Sequence, residues 1–296
     1  MLTPAIIRAV VAAALLEDAP WGDITGDTLI PANLRARAEL VAREPGVLSG
    51  GEVFSAAFEQ TDPEIEVAFH FADGDRFVAG SVIATVRGPA RGVLTAERVG
   101  LNFVQRMSGI ATLTADYVSR VRNSVAANLP AGTTPPRLVD TRKTTPGLRA
   151  FERHAVRSGG GHNHRNSLSD AVMAKDNHLA ILAGNDAGSL TDVLTAARAT
   201  LGHTTHFEVE VDRIDQIEPV VSAGVDTIML DNFALDELRE GVRIVAGRAL
   251  VEASGNVNLD TVGEIALTGV DIISVGALTH SVRSLDLGLD ISVEAG

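Results

Sequence analysis

From residue 137 onward, short apolar segments alternate with helical ones, and this alternation limits the possible folds more than any other feature of the chain. The predicted strands are Arg137–Thr141, Ala171–Lys175, His206–Val211, Asp226–Leu230, Ala249–Ala253 and Asp271–Val275. Helical patterns fill most of the intervals and usually end at a glycine, such as Gly202 or Gly224, where a C-terminal cap belongs. Strands that alternate with helices form a parallel sheet. Since six strands are fewer than the eight of a complete TIM barrel, we expect an open, incomplete α/β barrel.

The chain before this alternation contains short strands, tight turns and helices. Strands are predicted at Arg35–Arg43, Ile65–Phe71 and Ser81–Arg87. A long helix from Thr95 to about Asn123 is expected to break at Ser108 and Gly109. We therefore predict a small α+β domain ahead of the barrel.

The apolar residues at the start of the chain are expected to form a docked helix rather than a secretion signal. Thr3 can cap this helix, with Pro4 at its first position, and Glu17 and Asp18 stand where a signal has its small-residue cleavage site. No apolar run reaches the roughly 20 residues that a membrane span requires. The chain has no cysteine, which excludes disulfides, thiolate catalysis and cysteine-ligated zinc. We therefore expect a cytoplasmic protein that has no membrane partner.

Charge is unevenly distributed along the chain. Acidic residues outnumber basic ones 38 to 25, for a net charge of −13, which argues against nucleic acid as a partner. Residues 137–178 nevertheless contain eight basic and four acidic side chains, a net charge of +4. The only two lysines of the chain, Lys143 and Lys175, lie in this stretch. A basic pocket in an acidic protein indicates a small anionic ligand rather than a polymer.

Charged residues, or small residues that leave the backbone accessible, follow nearly every predicted barrel strand. These strand ends are where parallel barrels form their sites. These segments are Asp140–Lys143, Lys175–His178, Glu208–Asp212, Asp231–Asn232, Glu252–Asn256 and Gly276–Ala277. Side chains alternate along a strand, so Glu208, Glu210 and Asp212 share one face, and the apolar face belongs against the helices. The carboxylates then face the barrel interior. There they form either a salt-bridge network with the nearby cations or an acidic pair that holds Mg²⁺ or ribose hydroxyls.

The densest motif is Gly159–Arg165, with the sequence GGGHNHR. Three glycines permit close approach of the backbone and would present the histidine and arginine that follow them to a ligand. Zinc binding by His162 and His164 is disfavoured, because no third ligand has a recognised spacing and the adjacent arginine would repel the cation. Two further segments, Ser254–Asn256 and Gly276–Ala277, close the last two strands. Such segments in barrels commonly bind a phosphate through backbone N–H groups.

Taken together, these residues resemble the quinolinate phosphoribosyltransferase family, also called the carboxylating nicotinate-nucleotide pyrophosphorylases. The matching stretches are Gly22–Thr25, Leu94–Arg98, Asn102–Thr112, Asp140–Arg149, Ala155–Arg165, Lys175–His178, Glu208–Asp212, Leu230–Phe233, Glu252–Gly255 and Ser274–Ser281. They cover nearly the whole chain in order, and the segment from DTRKTTPGLR to GGGHNHR is highly specific. The chain departs from the resemblance at Arg153 and His154, where relatives often have Lys and Tyr.

The resemblance implies an α/β protein of two domains: an N-terminal α+β sandwich over residues 1–115, with the C-terminal tail packed on it, and an open, TIM-like barrel over residues 116–285 that contains the active site. It also implies an enzyme of the de novo route to NAD. The expected reaction joins quinolinate to 5-phosphoribosyl-1-pyrophosphate (PRPP) with Mg²⁺ and yields nicotinate mononucleotide, pyrophosphate and CO₂. The resemblance also implies a homodimer, or a higher oligomer built of dimers, in which an arginine from the neighbouring subunit enters each active site. Arg98 is the matching position. Two alternatives remain: a paralogue linked to molybdenum transport, and a Schiff-base aldolase or decarboxylase that uses Lys175.

The resemblance also assigns roles to individual residues. The residues expected to bind quinolinate are Arg142, His164, Arg165, Lys175 and, from the partner subunit, Arg98. Glu208 and Asp231 are expected to act on the ribose and to hold Mg²⁺, directly or indirectly, and Lys143 is expected to neutralise the leaving pyrophosphate. The residues expected to bind the 5′-phosphate are Ser254, Gly255, Asn256, Gly276 and Ala277. The expected catalytic set is Lys143, Lys175, Glu208 and Asp231.

Overall fold

The computed structural model describes residues 2–183 and 189–293, and its contacts divide the chain into two compact units. Unit 1 comprises Met1–Ala115, Thr144–Gly160 and Leu278–Gly296, and unit 2 comprises Asp116–Lys143 and Gly161–Ala277. The domain bounds expected from the sequence, 1–115 and 116–285, stay a prediction. None of the helices in the described ranges is both long enough and apolar enough to span a membrane.

The helices and strands are numbered in chain order. The helices are α1 (Pro4–Asp18), α2 (Ile24–Leu29), α3 (Gly51–Thr61), α4 (Ala90–Asn128), α5 (Arg149–Ser158), α6 (Asp176–Ala183), α7 (Leu190–Thr200), α8 (Ile217–Ser222), α9 (Leu235–Val245), α10 (Val262–Ile265) and α11 (Ala277–His280). The strands are β1 (Arg35–Ala42), β2 (Gly46–Val47), β3 (Glu66–Phe69), β4 (Arg76–Phe77), β5 (Val82–Pro89), β6 (Arg137–Val139), β7 (Val172–Ala174), β8 (Phe207–Val211), β9 (Thr227–Asp231), β10 (Leu250–Ser254), β11 (Ile272–Ser274) and β12 (Leu287–Val293). A 3-10 turn at Ile214–Gln216 precedes α8.

Unit 1 is built on a four-stranded antiparallel sheet in the order β12-β1-β5-β3. The side chains of β1 alternate, since Ala36, Ala38, Leu40 and Ala42 are buried and the residues between them are more exposed. The three strands predicted for this region correspond to β1, β3 and β5. The last strand of the chain, β12, pairs with β1. These strands, with helices packed beside them, confirm the predicted α+β character of the N-terminal region.

Helix α1 begins as the sequence predicts. The Thr3 hydroxyl accepts a hydrogen bond from the Ile6 backbone N–H at 3.4 Å, and Pro4 occupies the first helical position. Ile7 and Val11 are buried, and α1 packs against α3. The apolar residues at the start of the described chain therefore form a helix that docks on unit 1.

The predicted break at Ser108 and Gly109 is wrong, because α4 continues through both residues. Ser108 is fully buried, and its hydroxyl accepts a hydrogen bond from the Ser49 N–H at 3.1 Å and donates one to the Ser49 carbonyl at 3.3 Å. A Cβ atom at Gly109 would lie 2.2 Å from the Arg283 carbonyl oxygen. The two small residues therefore permit close packing against the helix, and they do not end it.

Unit 2 contains a six-stranded parallel sheet in the order β6-β11-β10-β9-β8-β7. Its first and last strands along the chain, β6 and β11, are neighbours, whereas β6 and β7 lie at opposite ends of the sheet. The barrel is therefore open between its first two strands, which confirms the predicted incomplete TIM-like barrel. All six predicted strands are present, and α6, directly after Lys175, is a helix that the sequence pattern does not predict.

A buried carboxylate in α5 joins segments of unit 1 that are distant in sequence. Glu152 is 1% exposed, and its Oε1 accepts a hydrogen bond from Arg106 Nη2 at 2.9 Å. Thr145 donates two more hydrogen bonds to this carboxylate, from its backbone N–H at 3.1 Å and from its hydroxyl at 2.8 Å. Arg106 also donates to the carbonyl oxygens of Thr279 and Val282. The carboxylate and guanidinium therefore satisfy each other and the surrounding backbone.

We expect Glu152→Ala to lower the free energy of unfolding by about 3 kcal/mol, because it leaves the mostly buried Arg106 without its buried counter-charge. Urea denaturation followed by circular dichroism measures this change. Arg239→Ala removes an exposed ion pair with Asp236 and serves as the control, which should unfold at nearly the wild-type urea concentration. A Glu152→Ala protein as stable as this control would contradict the structural role of the buried pair.

Candidate active site

A cavity of about 380 Å³ lies at the carboxyl ends of the strands of unit 2. The residues that line it are Thr141, Arg142, Lys143, His164, Arg165, Met173, Lys175, Glu210, Met229, Asp231, Ser254 and Ser274. Five of the six barrel strands contribute one of these residues, and Thr141 lies two residues after the end of the remaining strand, β6. This is the edge at which parallel barrels form their sites, and the structure brings most of the predicted residues together there.

The wall of this cavity is strongly cationic. Two arginines, two lysines and His164 face two carboxylates, which gives a net charge of +3 when His164 is protonated. Arg142 and Arg165 are both partly buried. Burial, and then the nearby charge of Arg142, hold the pKa of Arg165 below its ordinary value. Like charges held this close in a protein of net charge −13 favour the binding of a small anion with more than one negative charge.

The GGGHNHR segment reaches the cavity because it is fixed to the first barrel strand. The backbone N–H of His162 donates to the Leu138 carbonyl at 2.8 Å, and the N–H of Asp140 donates to the His162 carbonyl at 3.1 Å. The fully buried Asp140 carboxylate then accepts hydrogen bonds from Asn163 Nδ2 at 2.6 Å and from the His164 N–H at 2.7 Å. This double anchor fixes the backbone from which His164 and Arg165 project.

His164 is held from behind by two buried glutamates. Its Nε2 lies 3.1 Å from Glu208 Oε2 and 3.6 Å from Glu252 Oε2, and the two glutamates are 4% and 1% exposed. Burial alone would lower the pKa of His164, but the hydrogen bonds that its ring donates to Glu208 and Glu252 outweigh burial and raise that pKa to about 10. Burial also raises the pKa of Glu252 above its usual range. His164 is therefore a permanent cation at neutral pH.

The acids on the cavity wall are Glu210 and Asp231. Lys175 Nζ donates to Glu210 Oε2 at 2.6 Å, so the salt bridge considered from the sequence is present. Asp231 ends β9 and pairs in register with Ser254 at the end of β10. Asn232 Nδ2 donates to Asp231 Oδ2 at 2.7 Å. The wall thus contains one carboxylate paired with a lysine and one held by a neutral amide.

Two groups of side chains differ in how well they fit a metal ion. His164, Glu208 and Glu252 lie close enough to share an ion, but the His164 ring already faces both carboxylates as an imidazolium, which has no lone pair to offer. Glu210 and Asp231, together with the hydroxyls of the lining serines, offer only oxygen donors. Mg²⁺ prefers such donors and is commonly held by one or two carboxylates plus the phosphates of a substrate. The wall acids therefore fit Mg²⁺, and the triad behind them does not.

Several predicted residues lie outside the cavity wall formed by the described residues. Glu208 lies behind His164, one alternation deeper on β8 than Glu210. Gly255, Asn256, Gly276 and Ala277 are also outside the lining set, although Ser254 belongs to it. Arg98, which lies on α4, is exposed and is not a wall residue.

Five lining residues are outside the predicted set of site residues, although Glu210 among them is expected from the sequence to face the barrel interior: Thr141, Met173, Glu210, Met229 and Ser274. Strand alternation could have found three of them. Glu210 pairs in register with Met229, and Met173 lies two residues before Lys175 on the same face. Ser274 ends β11, as Asp231 and Ser254 end their strands.

Unit 1 contains a larger cavity, of about 940 Å³, which does not have the chemistry of the barrel site. Its ionisable lining groups are three acids, one arginine and one histidine. Asp73 and His154 among them bond each other, with 2.7 Å between Oδ2 and Nε2. The same carboxylate accepts hydrogen bonds from the Gly50 and Gly51 N–H groups at the start of α3. These groups are engaged in capping and pairing, and they lack the excess of positive charge found in unit 2.

Comparison with known families gives two matches that together span most of the chain. The family described as "Quinolinate phosphoribosyl transferase, C-terminal domain" matches residues 110–290. The corresponding N-terminal domain family matches residues 23–108. Both units of the chain are therefore represented in the match.

Individual relatives are similar over nearly their whole length. A nicotinate-nucleotide pyrophosphorylase [carboxylating] of Mycobacterium leprae is 41% identical over 290 residues, which are 96% of this chain and 96% of that protein. A probable nicotinate-nucleotide pyrophosphorylase [carboxylating] of Bacillus subtilis is 38% identical over 278 residues, 94% of this chain and 91% of that protein. The crystal structure of NadC from Streptococcus pyogenes has a TM-score of 0.90 at 39% identity and covers 100% of this chain and 99% of its own.

We expect the ring of His164 to remain protonated well above neutral pH, because two carboxylates face its Nε2. Ring ¹⁵N shifts measured by NMR should stay those of an imidazolium from about pH 6 to about pH 9. Since the folded pKa of about 10 lies above the ordinary value of 6.5, His164 stabilises the fold fully below pH 6.5. This contribution is lost as the pH rises through the folded pKa.

The control is the double variant Glu208→Gln/Glu252→Gln, in which only burial acts on the ring. Its His164 pKa should fall below the ordinary value of 6.5, so that the ring becomes neutral near physiological pH. A wild-type His164 that titrates near 6.5 would show that the two glutamates do not hold the proton.

Proposed function

Since the chain belongs to the quinolinate phosphoribosyl transferase family, we propose that its barrel cavity joins quinolinate to PRPP and releases pyrophosphate and CO₂. The protein is a carboxylating nicotinate-nucleotide pyrophosphorylase, a pentosyltransferase of NAD biosynthesis. The observation that carries the assignment to this cavity is its charge. Five cationic groups and two carboxylates line one small cavity at the ends of parallel strands.

The cationic wall is suited to the two adjacent carboxylates of quinolinate. Arg142 and Arg165 offer planar guanidinium groups, which bind carboxylates through two parallel hydrogen bonds. His164 adds a fixed positive charge, since its protonation is maintained from behind by Glu208 and Glu252. The mutual repulsion of Arg142 and Arg165 is relieved when a dianion lies between them. Quinolinate binding is therefore favoured by charges that are already in place.

The acidic side of the wall is suited to the ribose and pyrophosphate of PRPP. Asp231 and Glu210 can accept hydrogen bonds from ribose hydroxyls, and the exposed Lys143 can neutralise the leaving pyrophosphate. In this proposal Glu210 takes the role in ribose and Mg²⁺ binding that the resemblance assigns to Glu208, because Glu208 is buried behind His164. Ser254 is the residue of the expected phosphate-binding set that lines the cavity, and it provides a hydroxyl for the 5′-phosphate.

Mg²⁺ is proposed as the cofactor, held by Asp231 and Glu210 together with the substrate pyrophosphate. When bound there, the ion would neutralise charge that develops on the departing pyrophosphate. Lys175 donates a hydrogen bond to Glu210 and so holds that carboxylate at the cavity wall. The chain's own contribution is thus to place two carboxylates beside the cations that receive the phosphates.

The reaction requires positioning and charge stabilisation rather than a covalent nucleophile. The bond from ribose C1 to the pyrophosphate oxygen breaks through an oxocarbenium-like state, and the quinolinate nitrogen forms the new bond to C1. The positively charged ring nitrogen then stabilises the carbanion that remains when the adjacent 2-carboxylate leaves as CO₂, and a proton replaces it. Arg142, Arg165 and His164 hold the ring in place during these steps.

A homodimer is proposed as the functional assembly, in the cytoplasm. Arg98 is exposed on α4, where it is available to a neighbouring subunit. Unit 1 also exposes four large apolar side chains close together in sequence, Leu16, Trp21, Ile24 and Leu29, at 66%, 94%, 80% and 70%. Such exposed apolar groups support a protein interface. The sole tryptophan, Trp21, provides a fluorescence signal for it.

The proposed activity predicts that the purified protein forms nicotinate mononucleotide from quinolinate and PRPP, with pyrophosphate and CO₂ in equal amounts. Arg142→Ala should lower kcat/KM for quinolinate roughly a hundredfold or more, because it removes a partly buried partner of a substrate charge. Removal of Mg²⁺ with a chelator should abolish turnover, and added Mg²⁺ should restore it. The Arg239→Ala control changes an exposed pair on α9 and should react like wild type. A protein that releases no CO₂ from quinolinate would refute the assignment.

The same assay tests a Schiff-base mechanism through Lys175. Lys175→Arg should fold normally and lose most turnover, since a guanidinium does not reproduce the compact charge that bonds Glu210. Borohydride should trap no substrate on the wild-type protein. A stable covalent adduct on Lys175 would instead favour the aldolase or decarboxylase mechanism.

The shared active site predicts that two inactive variants restore each other. Arg98→Ala and Lys143→Ala each remove one residue of the composite site. In an equal mixture, half of the dimers are mixed, and one of their two sites keeps both residues. About a quarter of the wild-type activity should therefore return after unfolding and joint refolding. Mixtures that stay inactive would argue against a contribution of Arg98 from the partner.

The proposed interface near Trp21 is tested by fluorescence. Trp21 emission should shift to shorter wavelength as the protein concentration rises.

A further inference from the structure

Asn232 directly follows the wall acid Asp231 but is not itself one of the residues that line the cavity. Its side chain bonds in two directions. Asn232 Nδ2 donates to Asp231 Oδ2 at 2.7 Å, and Asn232 Oδ1 accepts from Asn256 Nδ2 at 3.0 Å. Its backbone N–H donates to the Ser254 carbonyl at 2.9 Å. One residue thus connects the acid at the end of β9 with the loop at the end of β10.

The backbone adopts an uncommon conformation to make these contacts. Asn232 has a φ of +61° and Asn256 a φ of +54°, both in the left-handed region that most side chains avoid. Gly255 lies between Ser254 and Asn256 with a φ of +86°. A Cβ atom at Gly255 would lie 2.2 Å from Asn232 Oδ1, so only glycine leaves room for the amide. The positive φ angles of these three residues therefore permit one set of contacts around the Asn232 amide.

This arrangement determines how the Asp231 carboxylate is presented. The amide occupies Oδ2, and among the described residues no hydrogen bond to Oδ1 is made. A neutral amide orients the carboxylate without removing its charge, whereas Glu210 on the same wall is paired with Lys175. Asp231 is thus the wall acid that a neutral amide orients, whereas a cation orients Glu210.

We propose that Asn232 is a positioning residue for PRPP: its amide orients the Asp231 carboxylate and holds the Ser254–Asn256 loop against it. This inference rests on the proposed function, and it deepens that function by assigning the orientation of the sugar-diphosphate side to one amide. The contacts of Asn232 involve Asp231 and the β10 loop, and none of them involves Arg142, Arg165 or His164. Loss of the Asn232 amide should therefore weaken the binding and use of PRPP and leave the binding of quinolinate nearly unchanged.

The decisive variant is Asn232→Gly. Glycine adopts a φ of +61° without strain, so this variant keeps the backbone conformation and removes only the amide. Its kcat/KM for PRPP should fall roughly tenfold to a hundredfold, as is typical when a residue that orients an active-site ligand group is lost. The KM for quinolinate should change less than about twofold. Asn256→Gly, which also tolerates the φ of +54° and removes only the loop side of the contact, should show a smaller loss in the same direction.

The control is Ala246→Gly, at the remaining described non-glycine residue with a positive φ, +50° at the end of α9. It relieves the same kind of backbone strain and removes no hydrogen-bonding side chain, so its kinetics should match wild type. Thermal unfolding should show all three glycine variants folded at the assay temperature.

A binding measurement separates positioning from a general loss of structure. Isothermal titration with PRPP and Mg²⁺, in the absence of quinolinate, should give a weaker Kd for Asn232→Gly by about the factor lost in kcat/KM. Unchanged PRPP binding and turnover in Asn232→Gly would overturn the inference, and so would equal increases in both KM values. A wild-type protein that makes no nicotinate mononucleotide would overturn the proposed function itself. An active wild type with an unaffected Asn232→Gly overturns only the role of Asn232.

Discussion

Positive charge concentrated at one edge of a parallel sheet is the constraint on which the rest of the site depends. Arg142 and Arg165 lie close enough that the charge of one lowers the pKa of the other, and burial adds to this effect. Side chains that repel one another must be held by their backbone before an anion binds. The backbone hydrogen bonds between the β6 segment and His162, and the one that the His164 N–H donates to the buried Asp140, provide this support. The repulsion that the fold tolerates is then available to favour a dianionic ligand.

The carboxylates of the barrel act at two depths, and the depth decides what each can do. Glu208 and Glu252 are nearly inaccessible, and they fix the charge state of His164 from behind. Glu210 is two residues beyond Glu208 on the same strand, and Asp231 ends the neighbouring strand, so both line the cavity. The inner pair keeps His164 protonated, and the outer pair faces the cavity that the substrates are proposed to enter. A single alternating strand therefore supports two different electrostatic functions.

The sequence predicts the parts of this molecule that local patterns determine. Six strands, an open barrel and a cationic stretch follow from alternation and strand-end residues, and the structure confirms the strands and the barrel. Local patterns do not predict that Glu208 lies deeper than Glu210, because this depth depends on how neighbouring strands are staggered in three dimensions. The uninterrupted helix through Ser108 is also a tertiary effect, since it depends on a bond to Ser49. The pairing of Asn232 with Asn256 joins residues 24 positions apart, which no local pattern indicates.

The two lysines show how residue type and position combine at this site. All other basic side chains among the 25 are arginines, yet both lysines lie on the cavity wall. A guanidinium directs its donors in one plane and suits a carboxylate that approaches in that plane. The ammonium group of Lys175 has three donors around one atom, so it can bond Glu210 at 2.6 Å and still direct N–H groups toward a ligand. A wall that must contact carboxylates on one side and phosphates on the other therefore requires both kinds of cation, each at the place where its geometry fits.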